Sequence, residues 1–338
     1  MKSANTIEVN KDTVRFIGRN YEDAVDSNVY FSNTFAGIEF SFYGTSVEAE
    51  VLATSYANKY EPFVKAYIDD MKPIDIKIVK KGWYVLAQGL DIGNHNVRLV
   101  KRNEANTNAV AFSRLRIDQG GKFLPPFENK TDRKILILGD SICCGFGSLY
   151  KGEQEFGITE VEDGCQTYGV IAADILNAQA QVVAVSGIGV ARNAGGDNQG
   201  TMLDLFRSRD MRCGYSYNFE EYVPDVVIVG MGVNDDGGEA TKEEFIKASD
   251  ELIDNIRESY SNAFILWVYG IMGCRISSWI SELIESRIKN GDERIYYHIT
   301  KPDTEDEGVG LYGHPTVKTH IRIADELVSI IKKAMNWN

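Results

Sequence analysis

Histidine is scarce in this chain. Only four occur in 338 residues, so any chemistry that needs an imidazole has four possible addresses. The five cysteines are an odd number and none precedes Cys143, which excludes a disulfide framework as the main staple. Cys143 and Cys144 are adjacent and cannot easily bridge. There is no CxxC and no Cys/His cluster with metal-ligand spacing, so neither a metal nor any other cofactor is expected. No apolar run approaches the ~20 residues of a membrane span. Basic charge is also short: 36 Lys and Arg against 49 Asp and Glu give a net charge of −13. Nucleic acid and anionic membrane surfaces are therefore unexpected partners, since both want a basic patch. A neutral ligand such as a sugar fits better. The opening residues, Met1 to Thr6, contain no apolar leader. Together with free thiols this points to the cytoplasm, or to secretion if a leader has been removed. The composition says nothing about oligomeric state.

A hydrophobic content of 43% is ample for a sizeable core, and the length suggests two domains. The two halves have different patterning. In residues 1–121, Ile38, Phe40 and Phe42 alternate with Glu39 and Ser41, and Val47, Ala49 and Val51 alternate with Glu48 and Glu50. Ile74, Ile76 and Ile78 repeat the pattern. A period of two marks half-buried antiparallel strands. Further strands are expected at 13–18, 64–69, 83–88, 95–102 and 109–117, with turns at Gly44, Gly82, Gly93-Asn94 and Asn103. The expected architecture is an all-β sandwich or jelly roll. Residues 122–133, following Gly120-Gly121 and containing Pro125-Pro126, read as a linker.

From residue 134 to 338 short apolar runs alternate with helical patterns. The runs are 135–138, 182–185, 226–229, 264–268 and 295–299. Helices are expected over 167–178, 241–260, 277–290 and 316–335, the second opened by the capping box Thr241-Lys242-Glu243-Glu244. This alternation implies an α/β domain with a parallel sheet covered on both faces.

The first apolar run ends abruptly at Gly139-Asp140-Ser141. A buried parallel strand that delivers a serine to the carboxyl edge of a sheet presents a candidate nucleophile. The competing reading is a helix-capping serine. A nucleophilic serine needs a base. His95 falls in a β-domain turn, and His320 falls inside the last helix. His298 ends the last strand. His314, in Leu311-Tyr312-Gly313-His314-Pro315, follows that strand and shares the carboxyl edge with Ser141, so its placement favours it over His298. Acyl transfer also needs donors for a developing oxyanion. Ser186-Gly187-Ile188-Gly189 follows the second strand, and Gly232-Val233-Asn234-Asp235 follows the third. Each alone is an ordinary turn. In chain order, serine, glycine, asparagine and histidine each sit just after a strand.

These residues resemble the four blocks of the SGNH (GDSL-like) hydrolases, whose domain is a flavodoxin-like, three-layer α/β/α fold. The preceding β domain, the stretch Ser186-Gly187-x-Gly189-x-x-Arg192-Asn193 and the tail His314-Pro315-Thr316-Val317-Lys318-Thr319-His320 resemble carbohydrate esterase family 2. That resemblance implies removal of acetyl groups from plant-wall polysaccharides such as xylan and mannan, or from their oligosaccharides. It implies Ser141 as nucleophile and His314 as base. The oxyanion donors would be the Ser141 N–H, Gly189 (Gly187 as second choice) and Asn234. SGNH enzymes commonly carry an aspartate two or three residues before the histidine. Here Tyr312 and Leu311 stand there, so a Ser141–His314 dyad completed by a backbone carbonyl is expected. The alternative is a carboxylate from Asp303, Glu305, Asp306 or Glu307. Trp279 and Tyr312 are candidate sugar contacts, though Trp279 equally suits a helix core. Three other functions remain open: an SGNH esterase on a different acyl substrate (a lipid or cell-wall acetyl ester), a non-catalytic carbohydrate-binding protein, and an acetyl transferase.

Overall fold

The computed structural model describes residues 5–56, 59–125, 131–152, 155–211 and 214–338. The chain divides into two compact units. One comprises residues 1–130 with 155–160, the other 131–154 with 161–338.

In the first unit the strands are β1 (Asn5–Glu8), β2 (Arg15–Ile17), β3 (Tyr21–Glu22), β4 (Val29–Phe31), β5 (Gly37–Ala53), β6 (Phe63–Ile68), β7 (Ile74–Lys77), β8 (Gly82–Lys101), β9 (Val110–Ile117) and β10 (Lys122–Phe123). All pairings are antiparallel, and the main path runs β3-β4-β9-β5-β8-β6-β7. The strands form one continuous sheet, because β5 and β8 are long enough to run through both halves of it. The first half of β5 pairs with β2, β10 and the end of β8; its second half pairs with β9 and the start of β8. Between Gly44 and Ser46 the register with β8 shifts. At this bulge one residue of β5, Thr45, stands opposite residues 89–92 of β8, and Ile38, Phe40 and Phe42 before it and Val47, Ala49 and Val51 after it face one core despite opposite parity.

Three expectations change here. Strands 83–88 and 95–102 are one strand, and His95 lies within it, buried, rather than in a turn. Its Nδ1 is 2.7 Å from Asp69 Oδ2 and its Nε2 is 2.9 Å from Asp91 O. The supposed linker also begins later, because Lys122 and Phe123 pair with Tyr43 and Phe42; residues 126–130 lie outside the described ones. Residues 155–160, expected in the α/β half, join the first unit for a physical reason. Buried Arg102 and Asn103 need acceptors, and the Thr159 carbonyl takes a hydrogen bond from each, at 2.6 and 2.9 Å.

In the second unit β11 (Lys134–Gly139), β12 (Gln179–Ala184), β13 (Val226–Gly230), β14 (Phe264–Tyr269) and β15 (Ile295–Ile299) form a parallel sheet in the order β12-β11-β13-β14-β15. The helices are α1 (Ser141–Cys144), α2 (Tyr168–Ile175), α3 (Met202–Phe206), α4 (Val233–Gly237), α5 (Lys242–Ser259), α6 (Ser277–Lys289) and α7 (Val317–Met335). α2 packs with α7, and α5 with α3 and α6. The Thr241–Glu244 capping box opens α5 with both reciprocal hydrogen bonds formed. Ile323, Ala324, Leu327 and Ile331 bury one stripe of α7. Among the described residues no helix is long and apolar enough to cross a membrane.

Candidate active site

β11 is flanked by β12 and β13, so the chain leaves it where the strand order reverses, and open α/β sheets keep a crevice there. Asp140 caps α1, its Oδ1 accepting the Ile142 N–H at 2.9 Å. The cap turns the chain sharply and leaves Ser141 as the first helical residue, at the carboxyl edge of the sheet.

The structure brings His314 to it. His314 Nε2 lies 2.7 Å from Ser141 Oγ, and Nδ1 lies 2.9 Å from the Leu311 carbonyl. A carbonyl only accepts, so Nδ1 carries the ring proton and Nε2 turns its lone pair to the serine hydroxyl. The Leu311–Gly313 turn makes this possible. Tyr312 takes the left-handed conformation (φ 53°, ψ 35°), which costs a non-glycine residue about 1–2 kcal/mol. The turn is pinned by the Leu311 N–H on Gly147 O (3.2 Å) and the Gly310 N–H on His314 O (2.8 Å). The Phe146 ring packs on the imidazole at 4.8 Å. Burial lowers the His314 pKa, and the Leu311 and Tyr312 backbone hydrogen bonds partly oppose it. The base is therefore held neutral and able to take a proton.

No carboxylate is bonded to His314 among the described residues. Glu307 is taken by Arg322 (2.6 Å), Asp303 is partly buried beside Thr319, and Glu305 and Asp306 are exposed. The other histidines are occupied elsewhere. His298 pairs with Glu326 at 2.7 Å. His320 is fully buried and its Nδ1 accepts the Tyr168 N–H at 3.2 Å.

The turn after β12 is held by Asp235. This buried carboxylate accepts the N–H groups of Val190, Ala191 and Arg192 at 2.6–3.1 Å. Burial raises its pKa, while those hydrogen bonds oppose the rise. Gly189 is required where it stands, because a Cβ there would lie 1.8 Å from Arg192 O. Its N–H donates to Asn193 Oδ1 at 3.1 Å. The N–H groups of Gly187 and Ser141 have no acceptor among the described residues. Gly187 has φ +81° and open space around it. Asn234 lies in α4 rather than a turn, and its Nδ2 donates to Ile188 O (2.8 Å) and Asp140 Oδ2 (3.3 Å). The Asn234 amide thus ties the ends of three neighbouring strands together. Tyr312 is 77% exposed beside the histidine. Trp279 is half-buried on α6, and its ring packs 6.0 Å from Phe245 of α5, which is the helix-core arrangement.

Phe146 was not singled out by sequence reasoning. Asp235 and Asn193 stood within the quoted motifs with no role attached. A backbone carbonyl was expected to complete the dyad, but nothing in the sequence pointed to Leu311, since every residue has one.

A serine hydroxyl bonded to a neutral imidazole, at the edge of a parallel sheet with amide donors nearby, defines a serine hydrolase. Residues 135–327 match the family described as GDSL-like Lipase/Acylhydrolase, and residues 16–126 match Carbohydrate esterase 2 N-terminal. The chain belongs to the GDSL-like hydrolases, and its first part matches the N-terminal domain of the family two carbohydrate esterases. It is 31% identical over 312 residues to the cellulase/esterase CelE of Acetivibrio thermocellus, covering 89% of this chain and 37% of that protein. It is 25% identical over 344 residues to an acetylxylan esterase / glucomannan deacetylase of Cellvibrio japonicus, covering 93% of that protein and all of this chain. A solved family two carbohydrate esterase from Clostridium thermocellum, in complex with cellohexaose, superposes with a TM-score of 0.88. That match has 27% identity and covers 96% of this chain and 100% of the other.

Proposed function

We propose that this protein is a serine esterase that removes O-acetyl groups from acetylated plant-wall polysaccharides or oligosaccharides of the xylan and mannan type. One observation carries the reading: Nε2 of His314 stands 2.7 Å from Ser141 Oγ while Nδ1 is fixed by the Leu311 carbonyl. The choice of substrate follows the relatives, which include a protein described as an acetylxylan esterase / glucomannan deacetylase.

His314 Nε2 takes the Ser141 proton as Oγ bonds to the acetyl carbonyl carbon. The oxyanion is stabilised by the Ser141 N–H, one glycine N–H and the Asn234 amide, which turns one N–H to it from Asp140 Oδ2 (3.3 Å). Gly189 serves once Asn193 Oδ1 gives way; Gly187, whose N–H is already unengaged, is the second choice. The carbon–oxygen bond to the sugar breaks, and His314 returns its proton to the departing sugar oxygen. Water then gives a proton to His314 and attacks the acetyl-serine, releasing acetate and restoring the Oγ–H. Nδ1 stays protonated throughout, so the positive charge on the imidazolium is met by the Leu311 carbonyl dipole and not by a carboxylate. Tyr312, exposed beside the base, is the proposed sugar contact.

The test is hydrolysis of an aryl acetate together with labelling by a serine-directed fluorophosphonate. Wild-type protein should do both and Ser141→Ala neither. A wild-type protein that is not labelled would support the binding-protein alternative.

A further inference from the structure

Three buried side chains of the second unit have no part in the mechanism above: Cys143 on α1, Tyr168 on α2 and His320 on α7. They form a chain. Cys143 Sγ lies 3.0 Å from the Tyr168 hydroxyl, and the Tyr168 N–H, the first of α2, donates to His320 Nδ1 at 3.2 Å. The Tyr168 and His320 rings pack at 5.9 Å. Each end of the chain is a short step from the site. Cys143 stands two residues after Ser141. The His320 N–H closes the first turn of α7 on the Thr316 carbonyl at 3.1 Å, and Thr316 stands two residues after His314.

The strand ends are shaped around this chain. A Cβ on Gly139, which ends β11, would lie 2.2 Å from Cys143 Sγ. One on Gly230, which ends β13, would lie 2.1 Å from the Tyr168 hydroxyl. Thiol and hydroxyl therefore rest directly on the backbone that leads to Ser141 and toward Asn234. Apolar side chains would fill the same space without leaving a polar atom unmet. Here one is left: Nδ1 accepts, so the neutral His320 ring carries its proton on Nε2, which has no hydrogen-bond partner among the described residues. What the polar chain supplies and apolar packing does not is direction, because hydrogen bonds fix both separation and angle.

We infer that Cys143, Tyr168 and His320 are positioning residues: a strut that ties the turn bearing Ser141 to the helix that follows His314 and so sets the separation of Oγ and Nε2. The inference rests on the esterase reading of that pair and adds what holds its two members within reach. A misplacement of about 1 Å from a change remote from the reacting atoms can cost about 10²-fold in rate.

The experiment measures kcat and KM on an aryl acetate for two pairs of variants, with urea titration to establish the folded fraction. His320→Leu removes the acceptor, whereas His320→Gln keeps one in its amide oxygen. Cys143→Ala removes the partner of the Tyr168 hydroxyl, whereas Cys143→Ser keeps one. His320→Leu and Cys143→Ala should each lower kcat of the folded protein by about 10–100-fold, with KM within about threefold. His320→Gln and Cys143→Ser should recover most of that loss. A chain that serves stability alone would lower the urea midpoint and spare kcat. A fall of less than tenfold in either apolar variant, or a loss that its polar counterpart does not reduce, overturns the strut while leaving the esterase reading intact. Absence of Ser141-dependent ester hydrolysis by wild type overturns the esterase reading and the inference with it. Should the variants not fold, nitrogen NMR of the wild-type histidines decides. A bare Nδ1 and a protonated Nε2 on His320 support the strut, and a protonated Nδ1, which cannot accept the Tyr168 N–H, overturns it.

Discussion

Neutralising any acidic residue of the 303–307 loop should leave turnover nearly intact. In a serine hydrolase whose histidine is oriented by an aspartate, removing that charge costs about 10⁴ in kcat, because the imidazole adopts the wrong tautomer and the imidazolium loses its partner. Here the orienting group is the Leu311 carbonyl, 2.9 Å from His314 Nδ1, and no side-chain substitution removes it. Asp303→Asn, Glu305→Gln and Asp306→Asn should each stay within about threefold of wild-type kcat/KM. Glu307→Gln breaks the Glu307–Arg322 ion pair, which lies partly exposed and is worth about 1 kcal/mol or less. It should loosen the loop and stay within about tenfold. The assay is kcat/KM on an aryl acetate, with circular dichroism to confirm folding. A folded variant among these four that loses 10³-fold or more would refute the dyad and identify a hidden acid.

Other consequences follow from the same geometry. The acid limb of kcat/KM should titrate as one group with an apparent pKa below the ordinary histidine value of about 6.5, because burial disfavours the His314 imidazolium and only the neutral ring accepts the serine proton; a limb above that value, read from a pH–rate profile, would contradict it. Asn234→Ala should lower kcat by about 10²–10³, as loss of one oxyanion donor does, with KM changing far less; steady-state kinetics on an aryl acetate separate the two. His320 is fully buried, and burial pushes its pKa down to about 3. Below about pH 6.5 the unfolded chain binds a proton there that the folded chain refuses, so this contribution to stability is present above pH 6.5 and is lost as pH falls toward 3. Urea midpoints should fall over that range, and less steeply in His320→Gln. Asp235→Ala strands three N–H groups, one buried and two partly buried, and should destabilise the second unit by about 2–4 kcal/mol by urea titration.

Periodicity and capping chemistry made most of the fold legible. The five apolar runs of the α/β half are its five parallel strands, and Thr241 with Glu244 opens a helix as their spacing requires. Alternation found the β strands but not their continuity. Gly93-Asn94 has the composition of a turn, yet β8 runs through it because β5 supplies a partner on the far side of the bulge. His95 was misread for the same reason. At the site, the serine and histidine were legible because each follows a strand at one sheet edge, a consequence of topology alone. The distribution of hydrogen bonds was not. Which glycine N–H is already satisfied depends on how Asn193 folds back, and the partner of His314 Nδ1 is backbone, which has no letter in the sequence.

The central claim is that Ser141, activated by His314, releases acetate from acetylated sugars. The most direct measurement is acetate liberated from acetylated xylan and from short acetylated oligosaccharides by wild type and by Ser141→Ala. The expected result is rapid release by wild type from at least one of the two substrates, and a loss of at least about 10³-fold in the variant. Acetate release by Ser141→Ala within tenfold of wild type, or none by wild type from either substrate, would contradict it.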